Sequence, residues 1–261
     1  MTIGTVRLSE GQLYAFVADR LDGAGPCRLN EDLPAADIAA TSVVPNARIL
    51  MAELDGGGAK LTVKGNLNRK LVESLVDRFR WLGMDGGRIR EVCKVINECD
   101  YIPAMYLHAV LTLAGLARKE KGLLRLTRKG RSLLPEEAGG RLQAMLLRTT
   151  FTRYNPAYLD GYVMPEVFGP QISLILYLIG QFWTDWRPAE ELMAAVTFPT
   201  DEITASPYPG MAVSAFRGRV LRYLCWFGLM EEAAAAANDD WSQPRLYRKT
   251  SLYDRMLRFA P

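Results

Sequence analysis

The sequence predicts a mainly α-helical fold with small β-hairpins, of the α+β class. Long stretches repeat apolar residues every three or four positions, as amphipathic helices do. Two shorter stretches join strand-like segments through a turn, each directly after a helix that ends at a glycine. Hydrophobic residues make up 49% of the 261 positions, which is enough to build a substantial core.

The helices are predicted from caps and apolar periodicity. Ser9 followed by Gln12 forms a capping box that opens the first helix. The stretch 23–46 is rich in Ala, Pro, Asp and Asn and is expected to be a loosely structured connector, with a short helix around 37–40 as an alternative. Later helices are expected at 47–54, 67–79, 89–96, 102–113, 142–151, 171–183, 190–196 and 211–227. The helix at 171–183 is apolar on nearly every side, which predicts burial between two lobes.

The two hairpin signals share one order of residues. In the first, a helix closes with Leu113-Ala114-Gly115-Leu116 and is followed by Leu124-Arg125-Leu126-Thr127. In the second, a helix closes with Trp226-Phe227-Gly228-Leu229 and is followed by Leu246–Thr250. The first hairpin is expected to turn at Lys121-Gly122, and the second at 238–244. In both, a threonine opens the next helix. The stretch 61–65 (LTVKG) is similar to 126–130 (LTRKG), either as a degenerate third copy or by coincidence.

These residues resemble the winged helix-turn-helix superfamily, in two degenerate copies that cover 107–134 and 220–259. In that family a recognition helix precedes a two-stranded wing, and a hydrophobic-Gly-Leu step marks the junction. The chain also resembles uncharacterised bacterial proteins associated with mobile elements. The resemblance implies four regions: an N-terminal helical region (1–82), a first winged-helix-like domain (83–140), a helical connector (141–198) and a second winged-helix-like domain (199–261).

A basic segment coincides with the first predicted wing. Within 14 residues, one glutamate, Glu120, opposes Arg118, Lys119, Lys121, Arg125, Arg128, Lys129 and Arg131. We expect these seven side chains to contact DNA phosphates and nearby helix residues to interact with bases in the groove. The alternative is a solvated charged hairpin.

The second predicted wing is acidic and is expected to serve as a protein-docking or dimer surface. Its carboxylates, which would repel DNA, are Glu231, Glu232, Asp239 and Asp240, and they are partly compensated by Arg217, Arg219 and Arg222.

No residue pattern predicts catalysis, a metal site or a cofactor. The single histidine, His108, is expected on the flank of its helix, and one histidine cannot supply a multi-histidine metal site. Gly56-Gly57-Gly58-Ala59-Lys60 lacks the spacing of a phosphate-binding loop. The four cysteines have no zinc-type spacing and are expected to be buried free thiols.

The net charge of +3 is too small to imply nucleic-acid binding without local clustering. The N-terminus shows no secretory signal and no apolar run is long enough to cross a membrane, so a cytoplasmic location is expected. The sequence therefore predicts a non-enzymatic, DNA-associated regulatory protein that binds duplex DNA through a basic wing. The alternative is a winged-helix protein–protein interaction module, or a homodimer, that binds no nucleic acid.

Overall fold

Contacts along the chain divide the protein into two units. The computed structural model describes residues 2–3, 6–84, 86–162, 164–204, 208, 210–233 and 245–260. One unit, here called the terminal unit, combines Met1–Asn30 with Asn155–Pro261. The other, the middle unit, is Glu31–Tyr154. The predicted boundary at 82/83 lies inside the middle unit, and the predicted four-region division stays a prediction.

The terminal unit begins with short elements. Strands β1 (Thr2–Ile3) and β2 (Val6–Arg7) pair with each other, α1 (Glu10–Ala18) follows, and β3 is Cys27–Leu29. The predicted capping box is confirmed. The backbone N–H of Gln12 donates to the Ser9 hydroxyl, and the backbone N–H of Ser9 donates to the side-chain oxygen of Gln12.

The middle unit contains seven α-helices and three strands among its described residues. In chain order these are α2 (Ala35–Ala39), α3 (Val43–Asp55), β4 (Ala59–Lys60), α4 (Arg69–Arg78), α5 (Gly86–Val92), α6 (Ile102–Leu113), β5 (Ala117–Glu120) and β6 (Leu123–Leu126), followed by two more helices, α7 (Arg128–Leu133) and α8 (Gly139–Thr152). Helix α3 packs against α6, α8 and β6, so the core of this unit lies around α3. The predicted connector at 23–46 is wrong, because it contains β3, α2 and the start of α3.

The rest of the terminal unit resumes after two short 3-10 turns. Its elements are α9 (Ile172–Phe182), β7 (Arg187–Pro188), α10 (Ala189–Val196), α11 (Asp201–Thr204), α12 (Met211–Phe216), α13 (Arg222–Trp226), β8 (Met230–Glu232), β9 (Leu246–Lys249), α14 (Ser251–Met256) and β10 (Leu257–Phe259). A π-helical turn, Arg217–Leu221, joins α12 to α13. Helix α9 packs against α1 and α10 of its own unit. The predicted tip at 238–244 lies outside the described residues.

Both units contain the same order of elements. The order in the middle unit is α3, β4, α4, α5, α6, β5, β6 and α7, and the order in the terminal unit is α9, β7, α10, α11, α12–α13, β8, β9 and α14. The first strand of each set pairs with the third, giving the sheet orders β4-β6-β5 and β7-β9-β8. The registers also correspond, since Ala117 pairs with Leu126 and Met230 with Lys249. The mainly α fold with small antiparallel hairpins is thus confirmed, and the repeat is more extensive than the hairpins alone.

The glycine-leucine step has the same geometry in both repeats. Gly115 and Gly228 take left-handed φ angles of 72° and 70°. Leu116 N–H donates to the carbonyl five residues earlier at 2.9 Å, and Leu229 N–H does so at 2.8 Å. This pattern is a Schellman C-cap, in which glycine adopts positive φ without strain from a Cβ atom. The step therefore ends each helix and begins its hairpin.

The similarity of 61–65 to 126–130 does not extend to structure. Thr127 caps α7 by accepting a hydrogen bond from Gly130 N–H at 3.0 Å. Thr62 instead begins a tight turn, in which Gly65 N–H donates to the Thr62 carbonyl at 2.8 Å. A third copy of the strand-to-helix corner is therefore wrong. None of the described helices is both long enough and apolar enough to cross a membrane.

Candidate nucleic-acid interface

The first hairpin is a two-residue turn between β5 and β6. Lys121 and Gly122 have φ angles of 50° and 77°, as both central residues of a type I′ turn require. Ala117, Leu124 and Leu126 are buried and anchor one face of the hairpin to the core. Because side chains alternate along a strand, the opposite face is left to Arg118, Glu120, Leu123 and Arg125.

The seven predicted site residues lie together on this hairpin and the helix that follows it. Arg125 is half-buried, and six are exposed: Arg118, Lys119, Lys121, Arg128, Lys129 and Arg131. The structure therefore brings the predicted basic segment together on the surface of the middle unit. Whether it contacts nucleic acid stays a prediction.

Arg118 and Arg125 lie directly opposite each other across the hairpin. Like charges at such positions destabilise a pair of strands. Glu120 offsets this repulsion, with a carboxylate oxygen 3.2 Å from an Arg118 Nη2 and 3.8 Å from Arg125 Nε. One carboxylate thus faces two guanidinium groups, and a net positive charge remains on the outer face.

The other basic residues differ in how firmly they are held. Lys119 Nζ donates to the Gly65 carbonyl at 3.1 Å, and Lys129 Nζ donates to a backbone carbonyl at the end of α6 at 3.2 Å. Arg131 Nε lies 2.6 Å from an Asp55 carboxylate oxygen. The side chains of Lys121 and Arg128 make neither a hydrogen bond nor an ion pair with any part of the chain that the structure describes. These two side chains are the least constrained cations of the set.

The second hairpin carries an ion pair where the first carries two arginines. Glu231 and Arg248 occupy the positions that correspond to Arg118 and Arg125, and Arg248 Nε lies 2.5 Å from the Glu231 carboxylate. The Arg248 guanidinium also lies 4.5 Å from the centre of the Trp186 ring. The two hairpins therefore share a backbone plan but differ in charge. Asp239 and Asp240 lie outside the described residues.

The helix before the first hairpin is largely covered by the rest of its unit. Each residue of α6 is buried or half-buried, and its sequence contains neither Lys, Arg, Asp nor Glu. The helix packs on α3 and α8, and its C-terminal end leads into the hairpin. The predicted contacts of nearby helix residues with bases stay a prediction.

His108 also differs from the sequence prediction. It is buried rather than flanking, and its Nδ1 lies 2.6 Å from a carboxylate oxygen of Glu98, itself buried. The second Glu98 oxygen accepts the Leu67 backbone N–H. This chain of bonds ties α6 to Leu67, two residues before α4, and periodicity could not reveal it because Glu98 lies outside α6.

The arginines expected to compensate the second wing are not equivalent. Arg219 is buried in the π-helical turn, where its guanidinium bonds Asp160 at 2.5 Å and the Pro165 carbonyl at 2.8 Å. Arg217 donates to the Tyr247 hydroxyl at 3.3 Å. Arg219 is therefore a structural cation of the terminal unit, and the predicted surface role is wrong for it.

The charge balance differs between the two units. The middle unit has 20 Lys and Arg against 14 Asp and Glu, a formal net charge of +6. The terminal unit has 12 against 15, a net charge of −3. The modest charge of the whole chain thus conceals a basic unit that carries the segment with seven cations.

Sequence patterns missed two further lysines near the hairpin. Strand β4 pairs with β6, which places Lys60 opposite Leu123, and Lys64 follows in the turn after β4. Both lysines are exposed. Their proximity to the hairpin depends on a pairing between segments more than 60 residues apart, which local periodicity does not show.

The cysteines are free but not uniformly buried. Cys27 and Cys225 are buried, Cys93 is half-buried and Cys99 is exposed, so the prediction of burial is wrong for the last two. Burial, reinforced by the nearby Asp19 carboxylate, raises the pKa of the Cys27 thiol to about 12. In the described part of the chain, no group of three or more His, Cys, Asp or Glu residues could hold a metal ion.

The basic segment falls within the part of the chain that is similar to known sequences. Residues 39–140 match the family model of the Y4jL N-terminal domain. The chain is also 36% identical over 78 residues to the uncharacterized protein y4jL of Sinorhizobium fredii (strain NBRC 101917 / NGR234). That alignment covers 30% of this chain and 36% of the relative, about a third of each. No solved structure matches the chain significantly. The family match lies wholly within the middle unit.

Proposed function

We propose that the middle unit binds duplex DNA through the basic hairpin and that the protein acts as a non-enzymatic, DNA-associated regulator. Phosphate contacts supply the binding free energy, because the cations lie on a hairpin and a helix start rather than on an exposed recognition helix. The expected binding is therefore strongly salt-dependent and weakly dependent on base sequence. The order of elements and the 1-3-2 strand order support the winged-helix resemblance on which this proposal also draws.

One observation carries the proposal: equivalent positions of the two hairpins carry different charges. Arg118 and Arg125 oppose each other where Glu231 and Arg248 form an ion pair. Folding alone favours the ion pair, since like charges directly across two strands are destabilising. A polyanionic ligand is a physical reason to retain the two arginines.

The terminal unit supports a second candidate function, docking of another protein. Its net charge is −3, and the carboxylates of β8 are paired with arginines: Glu231 with Arg248 and Glu232 with Arg245. A surface of this charge repels DNA but not a basic protein. The two functions are compatible in one regulator, in which the middle unit binds DNA and the terminal unit binds a protein.

The test is a fluorescence-polarisation titration of the full-length protein with a labelled duplex at two salt concentrations. Wild-type protein should bind at low salt and weaken steeply as salt rises. The variant Lys119→Glu, Lys121→Glu, Arg125→Glu should bind at least about 100-fold more weakly at low salt, because several phosphate contacts become repulsive.

A matched control changes the same number of charges in the terminal unit. Arg7, Arg20 and Arg28 are exposed there, and replacing all three by Glu should weaken binding far less. Circular dichroism and thermal melting must show that both variants are folded. Absence of wild-type binding at low salt, or equal losses in both variants, would contradict the proposal.

A further inference from the structure

The segment after β4 forms a tight turn beside the tip of the basic hairpin. Thr62 N–H donates to the Asn66 carbonyl and Gly65 N–H to the Thr62 carbonyl, both at 2.8 Å. Two bonds connect this turn to the hairpin: Leu61 N–H donates to the Gly122 carbonyl at 2.9 Å, and Lys119 Nζ donates to the Gly65 carbonyl. The turn and the hairpin tip therefore form one continuous edge.

The second repeat has no such turn. Strand β7 ends at Pro188 and α10 begins at the next residue, Ala189. In the first repeat, eight residues (61–68) separate β4 from α4. The extra residues thus occur in the repeat that carries the basic hairpin, and they contain an additional exposed cation, Lys64.

Val63 lies at the apex of this turn. Its relative solvent-accessible surface is 108%, so the residue is completely exposed. Single exposed apolar residues are common on protein surfaces, so exposure alone is no evidence for a site. Val63, however, contributes no packing to the fold and occupies a turn position where polar residues and glycine are usual. Lys64 follows it directly, and Lys119 and Lys121 are on the adjoining hairpin.

We propose that Val63 makes an apolar contact with deoxyribose and base edges of duplex DNA, while Lys64 and Lys121 contact the flanking phosphates. Lys119 positions the turn through its bond to Gly65. Apolar side chains that enter a groove in this way widen it and unstack neighbouring base pairs. The inference rests on the proposed function and adds to it a contact that does not depend on charge.

The test compares Val63→Ser with Val92→Ser in the full-length protein. Val92 is also in the middle unit and is 83% exposed, so it is a matched control. Both variants should melt at the wild-type temperature. Val63→Ser should raise the dissociation constant for a labelled duplex about tenfold, as expected for losing a buried valine contact. The dependence of affinity on salt should not change, because no charge is removed. Val92→Ser should bind as wild type does.

Three results would overturn the inference. If wild-type protein binds duplex DNA with a steep salt dependence and Val63→Ser binds equally well, the contact is wrong and the proposed function stands. If wild-type protein does not bind duplex DNA, both fail. If the Val63 substitution weakens binding to vesicles of phosphatidylserine and phosphatidylcholine but the protein does not bind DNA, the edge contacts a membrane surface instead.

Discussion

Replacing Arg118 by Glu should stabilise the first hairpin and weaken DNA binding at the same time. The substitution places a carboxylate directly across the strands from Arg125, as Glu231 lies across from Arg248, and it removes the contact between Arg118 and Glu120. Stability and binding are thus expected to change in opposite directions. A substitution that merely damages the hairpin would weaken both, so the two explanations are distinguishable.

The magnitudes follow from the pairing. Exchanging a like-charge pair for an opposite-charge pair on exposed strands adds about 0.5–1 kcal/mol to the free energy of unfolding, and losing the exposed contact between Arg118 and Glu120 subtracts about 0.2–0.5 kcal/mol. For a unit of this size the net gain corresponds to a rise of about 1–4 °C in melting temperature. For DNA, the substitution removes one phosphate contact and pairs Arg125 with the new carboxylate. The slope of log affinity against log salt should therefore become shallower by about 2.

Melting followed by circular dichroism measures the first quantity, and polarisation titrations at several salt concentrations measure the second. The reciprocal variant, Glu231→Arg in the terminal unit, is the control. It should lower the melting temperature by creating a like-charge pair with Arg248. The reasoning is refuted if Arg118→Glu lowers the melting temperature, or if it leaves the affinity and the salt slope unchanged.

Three further predictions concern groups that the structure buries or exposes. His108→Ala should lower the free energy of unfolding by about 3 kcal/mol, because it leaves the buried Glu98 carboxylate without its partner; chemical denaturation would show this, and a loss below about 1 kcal/mol would contradict it. Gly130→Ala should also destabilise the protein, by about 1–3 kcal/mol, because the added Cβ would lie 2.4 Å from a backbone oxygen; an unchanged denaturation midpoint would count against the packing described here. Finally, a thiol reagent at pH 8 should modify Cys99 rapidly and leave Cys27 unmodified until the protein unfolds: burial raises the Cys27 pKa to about 12, so its thiol stays protonated, and the thiolate is the reactive form. Rapid native-state labelling of Cys27, detected by mass spectrometry, would be inconsistent with this environment.

Local signals predicted most of the helices and both hairpins. The capping box at Ser9, the glycine steps at Gly115 and Gly228 and the turn at Lys121-Gly122 each depend on residues within a few positions of one another. Such signals act through backbone geometry and hydrogen bonds to near neighbours, which the sequence states directly. The basic segment was predictable for the same reason, because its seven cations lie within 14 residues of the chain.

Long-range contacts were not predictable. The sequence placed His108 on a helix flank and Arg219 on a surface, whereas both are buried against carboxylates from other segments, Glu98 and Asp160. Burial of a charged or polar group depends on a partner, and periodicity carries no information about partners on other elements. The same limit hid the turn at 61–66, whose position beside the hairpin depends on the pairing of β4 with β6.

The sequence by itself determined most of the helices, the glycine steps that end two of them and the clustering of seven cations between residues 118 and 131. Only the tertiary structure decided which of those cations are free, that α6 is covered, and that the corresponding hairpin positions carry two arginines in one unit and an ion pair in the other. The physical reason is that helices, caps and turns form from interactions between neighbours in the chain. Exposure and charge pairing arise only when distant strands and helices come together.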